Sequence, residues 1–270
     1  MPLKSINPST NQEIASYDEL TESKVNDIIQ TINLSQLNWS KVSLEFRLDC
    51  LNEMVGVLKD GKIEYSVLMA DEMGKPISQA ESEIEKCIWL CEYYCENARQ
   101  FLKDKIIYDG IQKYIITIQP IGIILGIMPW NFPFWQVLRF AVPSIIAGNG
   151  AILKHASNVQ GCAFSIESSF LISGFPKHLF QNISISGKNV SKVIKNSSIQ
   201  EQKIIKQIKD TNYFYFLHSF IAVPENKENI LTLTDYNSNL FPSIVCSDNI
   251  IGCQFHPEKS GKSGLALLKS

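Results

Sequence analysis

From Ile121 onward short apolar runs alternate with helix-length segments, and this alternation most limits what the chain can fold into. Ile121 to Ile127 reads as a continuous apolar strand, the pattern of a sheet buried on both faces. A helix-competent segment runs from Phe134 to Ala147, followed by a short strand, Ala151-Ile152-Leu153. A second helix is predicted from about Val159 to Ser173, and a third strand from Phe180 to Ile185. Strands alternating with helices of this length argue for parallel βαβ units and an α/β class.

Upstream, the period is helical. The first twenty residues are extended and turn-rich, with a turn at Asn7-Pro8-Ser9-Thr10. Val25, Ile28, Ile29 and Ile32 keep one helical stripe, and Leu44, Leu48, Leu51, Val55 and Leu58 repeat it. Gly74-Lys75-Pro76 breaks the run, and a third helix points Ile84, Cys87, Ile88, Cys91 and Cys95 inward. Asp109-Gly110 between β-prone segments, with the run Tyr114 to Ile118, predicts a hairpin within Ile106 to Gln119. Downstream, Asn196 to Asp210 is polar and lysine-rich, a linker or one amphipathic turn. The β-like runs Tyr213–Phe220, Ile230–Leu233, Ser243–Cys246 and Ile250–Phe255 follow, with turns at Pro224-Glu225-Asn226 and Asp235-Tyr236-Asn237. A terminal helix is predicted over Ser260–Ser270.

Composition excludes several function classes. Twenty-five basic and twenty-seven acidic residues give a net charge of −2, which leaves no bulk footprint for nucleic acid or an anionic membrane. The N-terminus has no apolar export segment, and the most apolar stretch is broken by Pro129, Asn131 and Pro133, so no membrane span is expected. Seven cysteines without an export signal suit a reducing cytoplasm better than a disulfide framework. Cys87, Cys91 and Cys95 share a helical face but have no histidine or CxxC partners. They read as packing, and no metal is expected.

Two places carry candidate chemistry. Met128-Pro129-Trp130-Asn131-Phe132-Pro133 follows the first strand, and ligands in such sheets bind beyond strand carboxyl ends. Asn131, held by flanking prolines, is placed to aim its amide at a developing oxyanion; a capping asparagine in a proline-braced loop is the plainer alternative. Lys154, at the end of the second strand, is either a ribose or phosphate ligand or solvated surface.

These residues also carry a resemblance. Asn7-Pro8, Glu72 to Pro76, Pro120-Ile121-Gly122, Met128 to Phe134, Ala147-Gly148-Asn149, Leu153 to Ser157 and Gly174-Phe175-Pro176 resemble the N-terminal part of the aldehyde dehydrogenase superfamily, succinate-semialdehyde dehydrogenase-like, over residues 1–200. The resemblance implies a partial Rossmann-like parallel sheet with N-terminal helices and a β-hairpin. It also implies an aldehyde substrate, and weak binding of NADP or NAD by Met128, Trp130, Asn131, Lys154, Ala156 and Ser157. Asn131 would be an oxyanion donor, Trp130 would line the nicotinamide side, and Lys154 would meet the adenosine ribose. Ser157 replaces a glutamate common in NAD-preferring relatives, so a 2′-phosphate is tolerated. The family's Thr-Gly-Ser turn, glutamate base and nucleophilic cysteine find no match, and Cys162 reads as packing. Without a thiolate no aldehyde oxidation is expected.

Residues 201–270 are similar to something else. Tyr213 to Phe220, Thr234-Asp235-Tyr236 and Gly252 to Ser260 resemble the C-terminal end of class I glutamine amidotransferases, nearest the glutaminase subunits of imidazole glycerol phosphate synthases of histidine biosynthesis. His256 and Glu258 match the base and orienter of a Cys-His-Glu triad, and His218 a structural or substrate-side position. The family's Gly-Xaa-Cys-Xaa-Gly elbow is absent, and Cys246 and Cys253 read as core. The expectation is a dehydrogenase-like region joined near residue 200 to a small β-rich amidotransferase-like segment, marginal in stability and without either activity.

Overall fold

A computed structural model describes residues 2–108, 113–190, 193, 224, 227–236, 239–247 and 250–253. The chain forms two compact units, residues 1–188 and 189–270. The first opens with an antiparallel pair, β1 (Leu3–Ile6) and β2 (Glu13–Tyr17). Four helices follow: α1 (Glu22–Trp39), α2 (Leu44–Asp60), α3 (Lys62–Met73) and α4 (Ile77–Phe101). Thr21 and Ser43 start α1 and α2 by accepting the backbone N–H three residues on. Gly74 ends α3 at φ 72°, a left-handed turn that suits glycine, with a Pro8 ring carbon 3.0 Å from where a Cβ would stand.

One expectation is corrected here. The stripe from Leu44 to Met73 is two helices rather than one, because Gly61 closes α2 and α3 restarts at the next residue.

The hairpin stands where its sequence put it, as β3 (Lys105–Tyr108) paired antiparallel with β4 (Lys113–Ile116); Asp109-Gly110 lies outside the described residues. β5 (Ile123–Met128), β6 (Gly150–His155) and β7 (Phe180–Asn182) form a parallel sheet in that order, linked by α5 (Trp135–Ile146) and α6 (Gln160–Ile172). All six residues of β6 are buried under α1, α5 and α6. β5 is not buried on both faces as its composition suggests: Gly126 is its one buried residue, and Ile127 is 50% exposed. Among the described residues β5 pairs only with β6, so it is an edge strand.

The core lies where α2, α3 and α4 pack against α5 and α6, around Leu51, Met54, Met69, Ile84, Leu138 and Phe134. Arg47 locks its far end. The buried guanidinium donates to the carbonyls of Trp39, Ser40 and Ile146, tying the carboxyl ends of α1 and α5 together. Burial pushes its pKa down.

The described part of the second unit is an antiparallel sheet of β8 (Ile230–Tyr236), β9 (Asn239–Ser247) and β10 (Ile250–Cys253). Asp235 and Tyr236 belong to β8 rather than to a turn, because they pair with Leu240 and Asn239. Cys246 and Cys253 lie on β9 and β10. His218, His256, Glu258, the 196–210 segment and the terminal helix lie outside the described residues.

Candidate functional site at the carboxyl edge of the parallel sheet

Parallel register sets Met128 opposite His155 and Ile127 opposite Lys154, so two loops leave the sheet side by side. The first, residues 129–134, exposes Trp130, Asn131 and Phe132 and buries Pro133 and Phe134. Its backbone is held from outside. Lys75, buried between α3 and α4, donates to the Asn131 carbonyl at 3.3 Å, and its ammonium lies 3.9 Å from the Phe132 ring centroid. Lys75 also forms a buried ion pair with Glu83 of α4. The other oxygen of Glu83 accepts the N–H groups of Phe134 and Trp135, both at 2.9 Å. This caps α5, whose own N-cap residue offers no side-chain bond.

His155 joins the two loops. Its Nδ1 accepts the Ala156 N–H at 2.9 Å, which assigns the ring proton to Nε2, 3.0 Å from the Pro133 carbonyl. The ring is fully buried, and burial pushes its pKa down to about 4, so it is neutral.

The second loop carries Ala156 and Ser157, both half-buried. Gln160 at the start of α6 donates to the Ala156 carbonyl at 3.0 Å. The N-terminus of α6 is capped like that of α5. Buried Glu72 accepts the N–H groups of Gly161 and Cys162 at 2.8 and 2.9 Å, and also the Ser5 hydroxyl. Gly161 permits this, since a Cβ there would lie 2.8 Å from the carboxylate. Both helix N-termini at this edge are therefore filled by protein carboxylates, so neither is open to a phosphate. Cys162 is buried beside Glu72, and burial and that carboxylate push its thiol up.

Lys154 differs from every other buried ion at this edge. It is 8% exposed and has no hydrogen-bond or ionic partner among the described residues. Burial pushes its pKa down. The structure thus brings Met128, Trp130, Asn131, Lys154, Ala156 and Ser157 to one edge, on adjacent strand ends.

Sequence reading assigned no role to Glu72, Lys75, Glu83 or His155. A signal existed. Glu83 falls in the buried stripe Ala80, Ile84, Cys87, Cys91, and Glu72 continues Tyr65 and Met69. A carboxylate inside an apolar stripe must find donors. No described helix is long and apolar enough to cross a membrane, and the described residues hold no His, Cys, Asp or Glu cluster suited to a metal.

Comparison with known proteins bears on this edge. The aldehyde dehydrogenase family model matches residues 1–201, and the class-I glutamine amidotransferase model matches residues 173–269. A probable NADP+ succinate-semialdehyde dehydrogenase of Synechocystis is 37% identical over 200 residues, 74% of this chain and 44% of that protein. The NAD(P)+ succinate semialdehyde dehydrogenase Sad of Escherichia coli is 36% identical over 195 residues, 72% of this chain and 42% of its own. The crystal structure of succinic semialdehyde dehydrogenase from Streptococcus pyogenes with NADP+ superposes with a TM-score of 0.69 at 31% identity, covering 72% of this chain and 43% of that one. The chain thus spans less than half the length of the curated relatives it matches.

Proposed function

Because the chain belongs to the aldehyde dehydrogenase family, we propose that its first unit is the cofactor-holding part of an NADP-accepting enzyme of the succinate-semialdehyde type. The observation that carries this reading is Lys154, a mostly buried lysine at the carboxyl edge of a parallel sheet that makes no hydrogen bond or ion pair with a described residue. A lysine at a strand end can donate to ribose hydroxyls or pair with a phosphate as a point charge. In this reading Lys154 holds a ribose hydroxyl or a 2′-phosphate, and Ser157 leaves that phosphate unopposed. Met128, Trp130 and Ala156 flank it at the same edge, and Asn131 donates to an aldehyde oxygen as it gains charge. The dinucleotide, when bound, supplies the hydride acceptor. Its pyrophosphate finds no open helix N-terminus at α5 or α6, so binding is weak.

Aldehyde oxidation by these 270 residues is not expected, since no residue matches the family's nucleophile or base. Losing a nucleophile costs roughly a millionfold in a protease triad, and one oxyanion donor restores only about 10²–10³-fold. NADP+ titrated into the purified chain by calorimetry tests the binding. Loss of the heat in Lys154→Met is expected, and equal binding by that variant overturns the reading. A steady rate of NADP+ reduction with succinate semialdehyde that falls in Asn131→Ala overturns the inactivity.

The family match over residues 173–269 favours a second reading for the other unit. It is a glutamine-amidotransferase segment of the kind serving histidine biosynthesis, with His256 as base and Glu258 as its orienter. With no elbow cysteine to activate, it releases no ammonia from glutamine. Release that disappears in His256→Ala overturns this. Long single reads of genomic DNA across codons 190–210 test whether the two regions are one gene, as a non-catalytic fusion requires.

A further inference from the structure

Three buried ionisable side chains converge on the backbone of one exposed loop. Lys75 takes the carbonyl of Asn131, His155 the carbonyl of Pro133, and Glu83 the N–H groups of Phe134 and Trp135. They come from three places, the α3–α4 turn, the end of β6 and α4 itself. We infer that Lys75, Glu83 and His155 are positioning residues that fix this backbone so that Asn131 and Trp130 are presented at the carboxyl edge of the sheet. The assignment rests on the reading of that edge as a dinucleotide and aldehyde site.

The argument is one of geometry against ordinary alternatives. A loop whose tip residues are exposed is normally mobile, because few contacts oppose its opening. Here the tip residues are exposed while the groups that grip their backbone are buried: the side chains of Lys75 and Glu83 are 5% and 1% exposed, and His155 is 0% exposed. Packing alone does not need this arrangement, since a buried ion pair is replaceable by apolar residues of similar volume with little loss. An apolar pair would fill the space but would leave one carbonyl and two amides of the loop unheld. Fixing the Asn131 carbonyl fixes a peptide plane, and with it the direction in which the Asn131 side chain departs. The Lys75 ammonium against the Phe132 ring holds the next residue as well.

The experiment uses the full chain and two readouts, amide hydrogen exchange resolved to the 129–136 segment and NADP+ titration. Glu83→Gln preserves shape but removes the charge that pairs with Lys75. It should raise exchange of the loop amides by about tenfold while α2 exchanges as before, and weaken NADP+ by a similar factor. Lys75→Met and His155→Gln should do the same to smaller extents, and they keep the inference falsifiable if Glu83→Gln does not fold. Asn131→Ala should weaken the ligand and leave loop exchange unchanged. Unchanged loop exchange in all three brace variants, or exchange raised equally over the whole first unit, overturns the inference. So does a loosened loop with undiminished NADP+ affinity. A wild-type chain that takes no NADP+ sinks the dinucleotide reading alone, and the brace is then judged on exchange.

Discussion

The two loops that leave the carboxyl edge of the sheet, residues 129–134 and 156–159, start from paired strand ends and lead into helices capped by buried glutamates. They differ in what shapes them. The first is held by residues 56, 51 and 22 positions away, namely Lys75, Glu83 and His155. The second is shaped from within, by His155 accepting the very next N–H and by Gln160 reaching back four and five residues. The distant brace carries the exposed tip with Asn131, and the local turn carries half-buried Ala156 and Ser157 just after Lys154 of β6. A loop that presents its tip to solvent needs outside support, whereas a short turn lying against the sheet can rely on its neighbours.

Removing the caps puts the strongest strain on this contrast. Glu83→Ala leaves the Lys75 ammonium buried without its counterion and two N–H groups unfilled, and should lower unfolding stability by about 3–5 kcal/mol in urea titration. Glu72→Ala strips a similar set of bonds but strands no opposite charge, and about 2–3 kcal/mol is expected. Equal losses would mean that the distant brace adds nothing beyond capping.

The next effect is pH. His155 titrates near 4 in the folded chain against an ordinary 6.5, so the unfolded chain takes the proton first. Above pH 6.5 the histidine is neutral in both states and adds no pH dependence to stability. As the pH falls from there through about 4, folded wild type should lose up to about 3 kcal/mol relative to His155→Gln. A wild-type-minus-variant difference that stays flat over that window would show that the ring does not join the loops as described.

Lys154→Met should abolish NADP+ binding while changing stability by no more than about 1 kcal/mol, because the ammonium has no described partner to lose. The smallest effect belongs to Asn131→Ala, an exposed change expected to fall within about 0.5 kcal/mol of wild type. A large loss there would mean that its side chain, and not its backbone, secures the first loop.

Much of the fold was legible because apolar period is a local property. The stripes of α1 and α2, the β3–β4 hairpin and the three parallel strands all stand within a few residues of where periodicity put them. The break at Gly61 was hidden because the next helix restarts at once and the stripe runs on. The exposure of β5 was hidden because an apolar strand does not announce how many neighbours it has. At the site, Asn131 and Lys154 could be singled out by their place after strands. Glu83 could be flagged as a carboxylate in an apolar stripe, but the amides it caps lie fifty residues ahead and only the fold brings them together.

Glu72 sets a timetable as well as a cap. It ties Ser5 in the first strand to the amides of residues 161 and 162. The hairpin leaves the ribosome well before α6, yet the carboxylate that anchors it completes its own set of bonds only when α6 emerges. At ordinary synthesis rates that is a wait of roughly ten to thirty seconds. For that interval the start of the chain is a hairpin of two short strands, too small to hold together alone. Whatever guards the nascent chain from wrong pairings has a long task at this pair of strands.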